Sequence, residues 1–230
     1  RTSPSRSPGM GALPYDTGTT FRVWAPNANA VFVAGTFNDW SPMGNPLVSE
    51  KNGYWSADVE GAKAGDHYKY RIVNGKQELW RIDSYAREVT NSVGDAVIYD
   101  PTFDWDADNY RTPPWNEMVI YEMHVGTFNG DAAHMPGSFD QAIEKLPYLR
   151  DMGINTIELM PIQEFPGGIS WGYSTAHPFA IESDYGGPDG FKRFVKAAHE
   201  HGMAVILDVV YNHFGPNDLS LWRFDGWYEN

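Results

Sequence analysis

Hydrophobic residues follow one spacing in the first part of the chain and another in the second, and the spacing changes near residue 100. Before it, five short runs rich in Val, Phe, Tyr and Trp are separated by turn signals such as Asn52-Gly53 and Asn74-Gly75. Short apolar runs between turn residues are typical of antiparallel strands, and their spacing predicts a β-sandwich over residues 18–100. The runs are TTFRVWAP, AVFVAGTF, GYWSADVE, DHYKYRIV and DAVIYD.

The second half alternates apolar runs with segments of helical periodicity. Residues 138–153 and 188–202 place apolar side chains three and four positions apart, which predicts two helices. Ser138 and Gln141 form a capping box at the first helix, and Pro147 is expected to kink it. The strand candidates are residues 118–125, 154–161 and 203–210.

Strands that are mostly apolar and alternate with helices predict a parallel sheet buried on both faces. The sequence thus predicts a sandwich over 18–100 and the first three βα units of a TIM-type (β/α)8 barrel over 118–230. Residues 1–17 are rich in Ser, Pro and Arg and are expected to form a flexible tail. Residues 101–117 are acidic, contain proline and are expected to be a linker. The tail has no signal-peptide core and begins with Arg1, and the barrel has too few strands, so the chain is expected to be an N-terminal fragment.

Charge and composition limit the kinds of partner and substrate that the protein is expected to bind. Lys and Arg number 17 against 30 Asp and Glu, a net charge of −13 that disfavours nucleic acid and anionic membrane surfaces as partners. No apolar run is long enough to span a membrane. The absence of cysteine weakly favours a reducing compartment, so a cytoplasmic location is expected. Neutral substrates remain, and an aromatic content of 15% suits sugars, which bind on aromatic faces.

Polar residues gather where the predicted parallel strands end. Ligands of βα folds bind at the carboxyl ends of strands. The alternation of side chains places Asp208 and Asn212 on one face of the third strand. An alternative interpretation is that Glu122, Glu158 and Asp208 are paired polar residues of a barrel interior. The polar residues at these ends are Glu122, His124, Glu158, Asp208, Asn212 and His213.

A long loop at residues 162–188 follows the second strand. Loops of this length in compact folds are usually functional or disordered. This one carries Trp171 and Tyr173 beside glycines that allow close approach of the backbone, which suits a sugar site. The alternative is a surface loop held together by its own aromatic side chains.

Several of these segments resemble known families. The stretch VILDVVYNHFGP is similar to the third-strand signature of the α-amylase superfamily, glycoside hydrolase family 13, and NTIELMPI resembles its second-strand signature. TTFRVWAPNANAVFVAGTFNDWSP with GDHYKYRIVNG resembles the immunoglobulin-like carbohydrate-binding module of family 48, found on glycogen branching enzymes. Together the resemblances cover roughly residues 18–216 in the usual order of the family.

The resemblance implies substrate-binding roles in the barrel segment. It implies that His213 forms a hydrogen bond with the sugar at the cleavage subsite and that Tyr173 stacks on that sugar. Asp208 would be a structural carboxylate supporting the site, and Trp171 is a further substrate-binding candidate. Asn212 stands at a calcium-binding position of many amylases, but no other ligand can be identified, so neither a metal nor a cofactor is predicted.

The resemblance also implies a glucan site on the sandwich. Trp40 and Trp80 resemble the two glucan-stacking tryptophans of related modules, and Lys69 resembles their nearby polar contact. The alternative is that both tryptophans belong to the core. Exposure of either ring would favour binding.

The reacting carboxylates of the family are expected outside this chain. The family has its nucleophile Asp after strand four, its acid Glu after strand five and a third Asp after strand seven. All three are expected downstream of Asn230, so no catalytic residue is assigned here and the chain alone is expected to be inactive. Asp208, Glu122 and Glu158 are not assigned those roles.

The function implied is that of a retaining enzyme of glycogen or starch metabolism that acts on α-1,4-glucans. The leading hypothesis for the activity is that of a 1,4-α-glucan branching enzyme. The alternative is that of a maltooligosyl trehalose trehalohydrolase or an α-amylase. Tyr211-Asn212 differs from several branching enzymes, so the subfamily stays open. From other classes, a non-catalytic glucan-binding module and an interaction protein that kept the barrel fold also stay open.

Overall fold

A computed structural model describes residues 4–130, 135–215 and 220–227 of the chain. The fold divides into two compact units. The first takes its described residues from Arg1–Pro101, Ala176–Phe179 and Gly215–Asn230, and the second from Thr102–Thr175 and Ala180–Phe214.

The first unit consists of two antiparallel sheets. Its strands are β1 (Gly11–Tyr15), β2 (Gly18–Trp24), β3 (Ala30–Gly35), β4 (Asn45–Pro46), β5 (Val48–Ser49), β6 (Tyr54–Glu60), β7 (His67–Asn74), β8 (Gln77–Arg81) and β9 (Ala96–Val97). One sheet has the order β1-β2-β6-β5, and the other has the order β4-β3-β7-β8 with β9 also paired to β7.

Alternation of side chains along β7 builds the core between the sheets. Tyr68, Tyr70 and Ile72 are buried, whereas Lys69 and Arg71 on the opposite face are partly exposed. Phe21 of β2 meets Tyr68 edge-on with ring centroids 5.0 Å apart, so the two sheets pack face to face. The predicted β-sandwich is confirmed.

The sandwich unit includes two segments that the sequence analysis assigned to other parts of the chain. β1 lies within residues 1–17, expected to be a flexible tail, and pairs with β2 from Gly11 to Tyr15. The Gly and Pro of this strand hid its pattern. At the other end, Asp225 belongs to the first unit although the barrel was predicted to reach 230, because its carboxylate accepts hydrogen bonds from the Asn27 backbone (2.8 Å) and side chain (3.0 Å).

The second unit alternates strands and helices. They are β10 (Ile120–Met123), α1 (Val125–Phe128), α2 (Phe139–Ile143), α3 (Leu146–Asp151), β11 (Thr156–Leu159), β12 (Gln163–Glu164), β13 (His177–Ile181), α4 (Gly187–Glu200) and β14 (Ala204–Leu207). β13 crosses from one unit to the other. β10, β11 and β14 form a parallel sheet in that order, which confirms the predicted start of a βα barrel.

Pro147 was expected to kink a single helix over residues 138–153, and the structure has two separate helices there instead. Helix α2 ends at Ile143, and α3 starts at Leu146 with the proline in its first turn, where a missing N–H costs little. The capping box is confirmed, since Ser138 Oγ accepts from Gln141 N and Gln141 Oε1 accepts from Ser138 N.

Only one face of the parallel sheet is covered by helices within the described chain. Met123, Ile157 and Leu159 are buried in the core shared with α2, α3 and α4. On the opposite face Glu122 and Ile120 are exposed, so the expectation that both faces would be buried is wrong for this chain. That face is the one a closed barrel turns inward.

The segment expected to be a linker packs along α4. His199 Nδ1 lies 2.6 Å from an Asp108 carboxylate oxygen, and the His199 ring stacks on Tyr110 with centroids 4.3 Å apart. Of the helices within residues 4–130, 135–215 and 220–227, none has the length and apolar character needed to cross a membrane.

A buried carboxylate in the sandwich core accepts hydrogen bonds from two tyrosines of β7. Asp83 is fully buried, and its Oδ2 accepts the hydroxyl protons of Tyr68 (2.7 Å) and Tyr70 (3.1 Å). Burial raises the pKa of Asp83 to about 6, although both tyrosine hydroxyls and the Tyr85 N–H favour its ionised form.

Tyr70→Phe should lower the free energy of unfolding by about 1 to 2 kcal/mol, because it removes one donor from a buried carboxylate. Urea denaturation measures the loss. Tyr85→Phe is the matched control, since Tyr85 is 40% exposed and binds Asp83 only through its backbone. Equal losses in the two variants would contradict this role of the Tyr70 hydroxyl.

Candidate functional site

Two of the residues singled out in the sequence meet at the carboxyl end of the parallel sheet. Asp208 directly follows β14, and its N–H donates to the carbonyl of Leu159 at 2.9 Å. The Tyr173 hydroxyl donates to Asp208 Oδ2 at 3.0 Å across 35 positions of sequence. Tyr173 remains 37% exposed, so the side chain is anchored at its tip and still accessible.

The electrostatics of this end of the sheet are strongly negative. Glu122 and Glu158 stand opposite each other in the register of β10 and β11, on the face not covered by helices. The pKa of Tyr173 is raised, mainly because its hydroxyl donates to the Asp208 carboxylate and further because Glu122 and Glu158 are nearby. Their side-by-side placement keeps the barrel-interior interpretation of these two glutamates open.

The turn before Tyr173 is tied to the other two strands. His124, directly after β10, has its Nε2 2.8 Å from the carbonyl of Ser170. Gly172 has a φ of +88°, and a Cβ at this position would lie 2.1 Å from the carbonyl oxygen of Pro161 beyond β11. Only glycine fits so close to that carbonyl. Trp171, between these anchors, is 70% exposed.

His213 and Asn212 make no hydrogen bond to this cluster within the described part of the chain. Both are exposed, and among the described residues no hydrogen bond joins His213 to Tyr173 or Asp208. The structure therefore brings Tyr173 and Asp208 together and leaves the predicted part played by His213 as a prediction. Within the described part of the chain, no three His, Cys, Asp or Glu side chains are grouped so that they could hold a metal ion.

The glucan-binding candidates of the sandwich lie in the β4-β3-β7-β8 sheet and at its edge. Trp80 of β8 is 42% exposed and pairs across the strands with Arg71, which pairs in turn with Phe32. The Arg71 guanidinium sits 5.3 Å from the centre of the Phe32 ring. Lys69, on the same face of β7, forms an ion pair with Asp95 at 3.1 Å. The core interpretation is thus wrong for Trp80.

Trp40 lies in the turn that follows β3. Its φ is +57°, directly after Asp39 at +52°, so two successive non-glycine residues adopt the left-handed conformation. The Trp40 N–H donates to the carbonyl of Gly35 at 2.9 Å, which closes the turn. The residue is half-buried, and both interpretations of Trp40 stay open.

A buried pair of glutamates was missed by the sequence analysis. Glu164 and Glu182 are each 1% exposed, at the two ends of the loop that carries Trp171 and Tyr173. Glu164 accepts from Ser183 N at 2.8 Å, and Glu182 accepts from Phe165 N at 3.2 Å. The reciprocal bonds close the base of the loop.

Burial raises the pKa of Glu164 to about 7 and that of Glu182 to about 8, the latter also through the charge of Glu164. Asp184 raises both. The only signal in the sequence was an acid beside apolar residues in QEF and AIES, and such a pattern also occurs on protein surfaces.

Two protein-family models match the chain. The model for carbohydrate-binding module 48 (isoamylase N-terminal domain) matches residues 9–86. The model for the catalytic domain of alpha amylase matches residues 85–221.

Curated relatives and solved structures agree with these matches. The chain is 37% identical over 205 residues to a malto-oligosyltrehalose trehalohydrolase of Saccharolobus solfataricus, covering 87% of this chain and 34% of that protein. It is 38% identical over 225 residues to a 1,4-alpha-glucan branching enzyme GlgB of Nitrosomonas europaea, covering 91% and 30%. A putative alpha amylase from Salmonella typhimurium superposes with a TM-score of 0.81 at 32% identity, covering 92% of this chain and 35% of that one. The chain thus spans about a third of the length of these curated relatives.

Glu182→Gln should make the protein less sensitive to rising pH. The pKa of Glu182 goes from an ordinary 4.5 to about 8 on folding, so the native state holds this proton more tightly than the unfolded chain. Its stabilisation is complete below the unfolded pKa and is lost as the pH rises through the folded one. Urea denaturation from about pH 5 to about pH 9 should show about half the wild-type decline, since Glu164 still titrates. Exposed Glu144→Gln is the control, and an unchanged decline in E182Q would refute the assignment.

Proposed function

We propose, since the chain belongs to the α-amylase family of glycoside hydrolases, that the protein is a retaining enzyme acting on α-1,4-glucans. The observation that carries this proposal is the contact between Tyr173 and Asp208, at the strand ends of the segment matched by the catalytic-domain model. An anchored but accessible aromatic ring beside carboxylates is the kind of surface on which a sugar is oriented.

In this proposal the chain supplies binding and positioning rather than the reacting groups. A retaining glycosidase needs a carboxylate nucleophile and a carboxylic acid about 5 Å apart across the scissile bond. Asp208 takes neither role, because it follows the third strand whereas the family has these groups after later strands, and here it holds the Tyr173 hydroxyl. Tyr173 offers its ring to the sugar, His213 donates to a sugar hydroxyl, and Trp171 extends the surface. The reacting carboxylates belong to later strands of the barrel.

Branching activity is the first choice among the activities of the family. A family-48 module precedes the catalytic segment, and several of the most similar curated relatives are 1,4-alpha-glucan branching enzymes at 37 to 38% identity. A trehalohydrolase at 37% identity supports the second choice equally well by sequence. We place the protein in the cytoplasm with an α-glucan as its partner, and its net charge of −13 argues against nucleic acid.

Incubation of the whole protein with amylose should generate new α-1,6 linkages, seen in the anomeric region of the proton NMR spectrum. A branching enzyme transfers the cleaved chain to a sugar hydroxyl, so reducing ends should not accumulate in step with cleavage. Release of trehalose from maltooligosyl trehalose, with no α-1,6 signal from amylose, would establish the second choice and exclude the first.

Trp80→Ala should weaken binding of maltoheptaose or glycogen by about tenfold, or 1.4 kcal/mol, because it removes an exposed ring from the outer face of the sheet. Trp24→Ala is the matched control, since Trp24 is 54% exposed and lies on β2 in the other sheet. Affinity electrophoresis in glycogen-containing gels compares the two. Equal retention of both variants and the wild type would exclude this face as a glucan site.

A further inference from the structure

The turn Ser170–Tyr173 is fastened to all three strands of the parallel sheet. Ser170 is held by His124 at the end of β10, and Gly172 presses against Pro161 beyond β11. Tyr173 reaches Asp208 at the end of β14. The Ser170 hydroxyl also accepts the N–H of Gly172 at 3.1 Å, so the three anchors act on one stiff unit.

His124 is itself held in a single orientation. Its backbone carbonyl accepts from the N–H groups of Thr127 (3.2 Å) and Phe128 (3.1 Å), and its Nδ1 lies 2.9 Å from the Thr127 hydroxyl. Because a carbonyl oxygen only accepts hydrogen bonds, Nε2 carries a proton and donates it to Ser170. Nδ1 pairs with the Thr127 hydroxyl, so both ring nitrogens have partners.

Tyr185 fixes the ring from a second side. Its hydroxyl lies 3.0 Å from His124 Nε2, and the two rings meet edge-on with centroids 6.2 Å apart. Tyr185 is buried against Phe139 and Phe165 in the helical core. The imidazole therefore connects the helical core to the turn that carries Tyr173.

We propose that His124 is a positioning residue of the sugar site, which sets the Ser170–Tyr173 turn through the Ser170 carbonyl and so keeps Tyr173 in contact with Asp208. The inference rests on the proposed function for its meaning, because the site is one for glucans only in that proposal. The hydrogen bonds that hold the turn are observed whether or not the proposed function is correct. Of the three anchors of the turn, the bond at Ser170 is the one that connects it through His124 to the buried Tyr185, so loss of this bond should move the Tyr173 ring away from Asp208.

The pKa of Tyr173 reports the position of the turn without any substrate. It is raised mainly by the hydrogen bond to Asp208, so it should fall toward the ordinary value of about 10 when the turn moves away. The titration is followed by NMR of protein labelled at the tyrosine Cζ carbon. The resonance is assigned with Tyr173→Phe, since the chain contains 13 tyrosines.

Two substitutions at one position separate the hydrogen bond from the packing. His124→Gln places an amide N–H where Nε2 lies and should keep most of the raised pKa, whereas His124→Asn is too short to reach Ser170 and should lose it. Asp208→Ala, which removes the acceptor of the Tyr173 hydroxyl, sets the value expected for complete separation. Thr127→Val, which removes only the partner of Nδ1, is a control for local stability.

A folded His124→Asn variant whose Tyr173 titrates as in the wild type would overturn the inference. If that variant does not fold, His124→Phe against His124→Gln gives the same comparison with the ring volume retained. Maltoheptaose affinity of the whole protein is measured in parallel. A lowered Tyr173 pKa with unchanged affinity would uphold the positioning role and count against the proposed sugar site instead.

Discussion

The register of the parallel sheet is the constraint on which the candidate site depends. Met123, Leu159 and Leu207 stand side by side in β10, β11 and β14, so the residues that follow them emerge at one edge. For that reason His124 and Asp208 can both contact the one turn that contains Ser170 and Tyr173. A slip of one residue in any strand would turn its side chains to the other face and separate these anchors.

Buried carboxylates recur at the points where the chain must be held. Asp83 sits between two tyrosines in the sandwich, and Glu164 and Glu182 close the base of the site loop. In each case backbone or hydroxyl donors offset part of the cost of burial, and the pKa rises because the compensation is incomplete. Because the pKa of each carboxyl is raised on folding, these positions make the fold lose stability as the pH rises from about 4 to about 8.

The sequence predicted the elements with strong local patterns and missed those made by distant partners. The capping box at Ser138 and the sandwich could be foreseen from turn chemistry and periodicity, whereas Pro147 was expected to kink a helix that the structure divides in two. β1 escaped because its glycine and proline mask an antiparallel pairing, and Asp225 escaped because its partner Asn27 lies 198 positions away. The family resemblance assigned Tyr173 and Asp208 to one site, but it did not predict their contact, since no local pattern links a loop hydroxyl to a strand-end carboxylate.

The central claim is that the strand ends of this chain orient an α-glucan through Tyr173. A crystal structure of the whole protein with a bound maltooligosaccharide tests it most directly. The account predicts a glucose ring lying over Tyr173, with the Tyr173 hydroxyl still bonded to Asp208 and His213 within hydrogen-bond distance of that sugar. A glucose ring bound at these strand ends that leaves Tyr173 uncovered, with its hydroxyl released from Asp208, would contradict it.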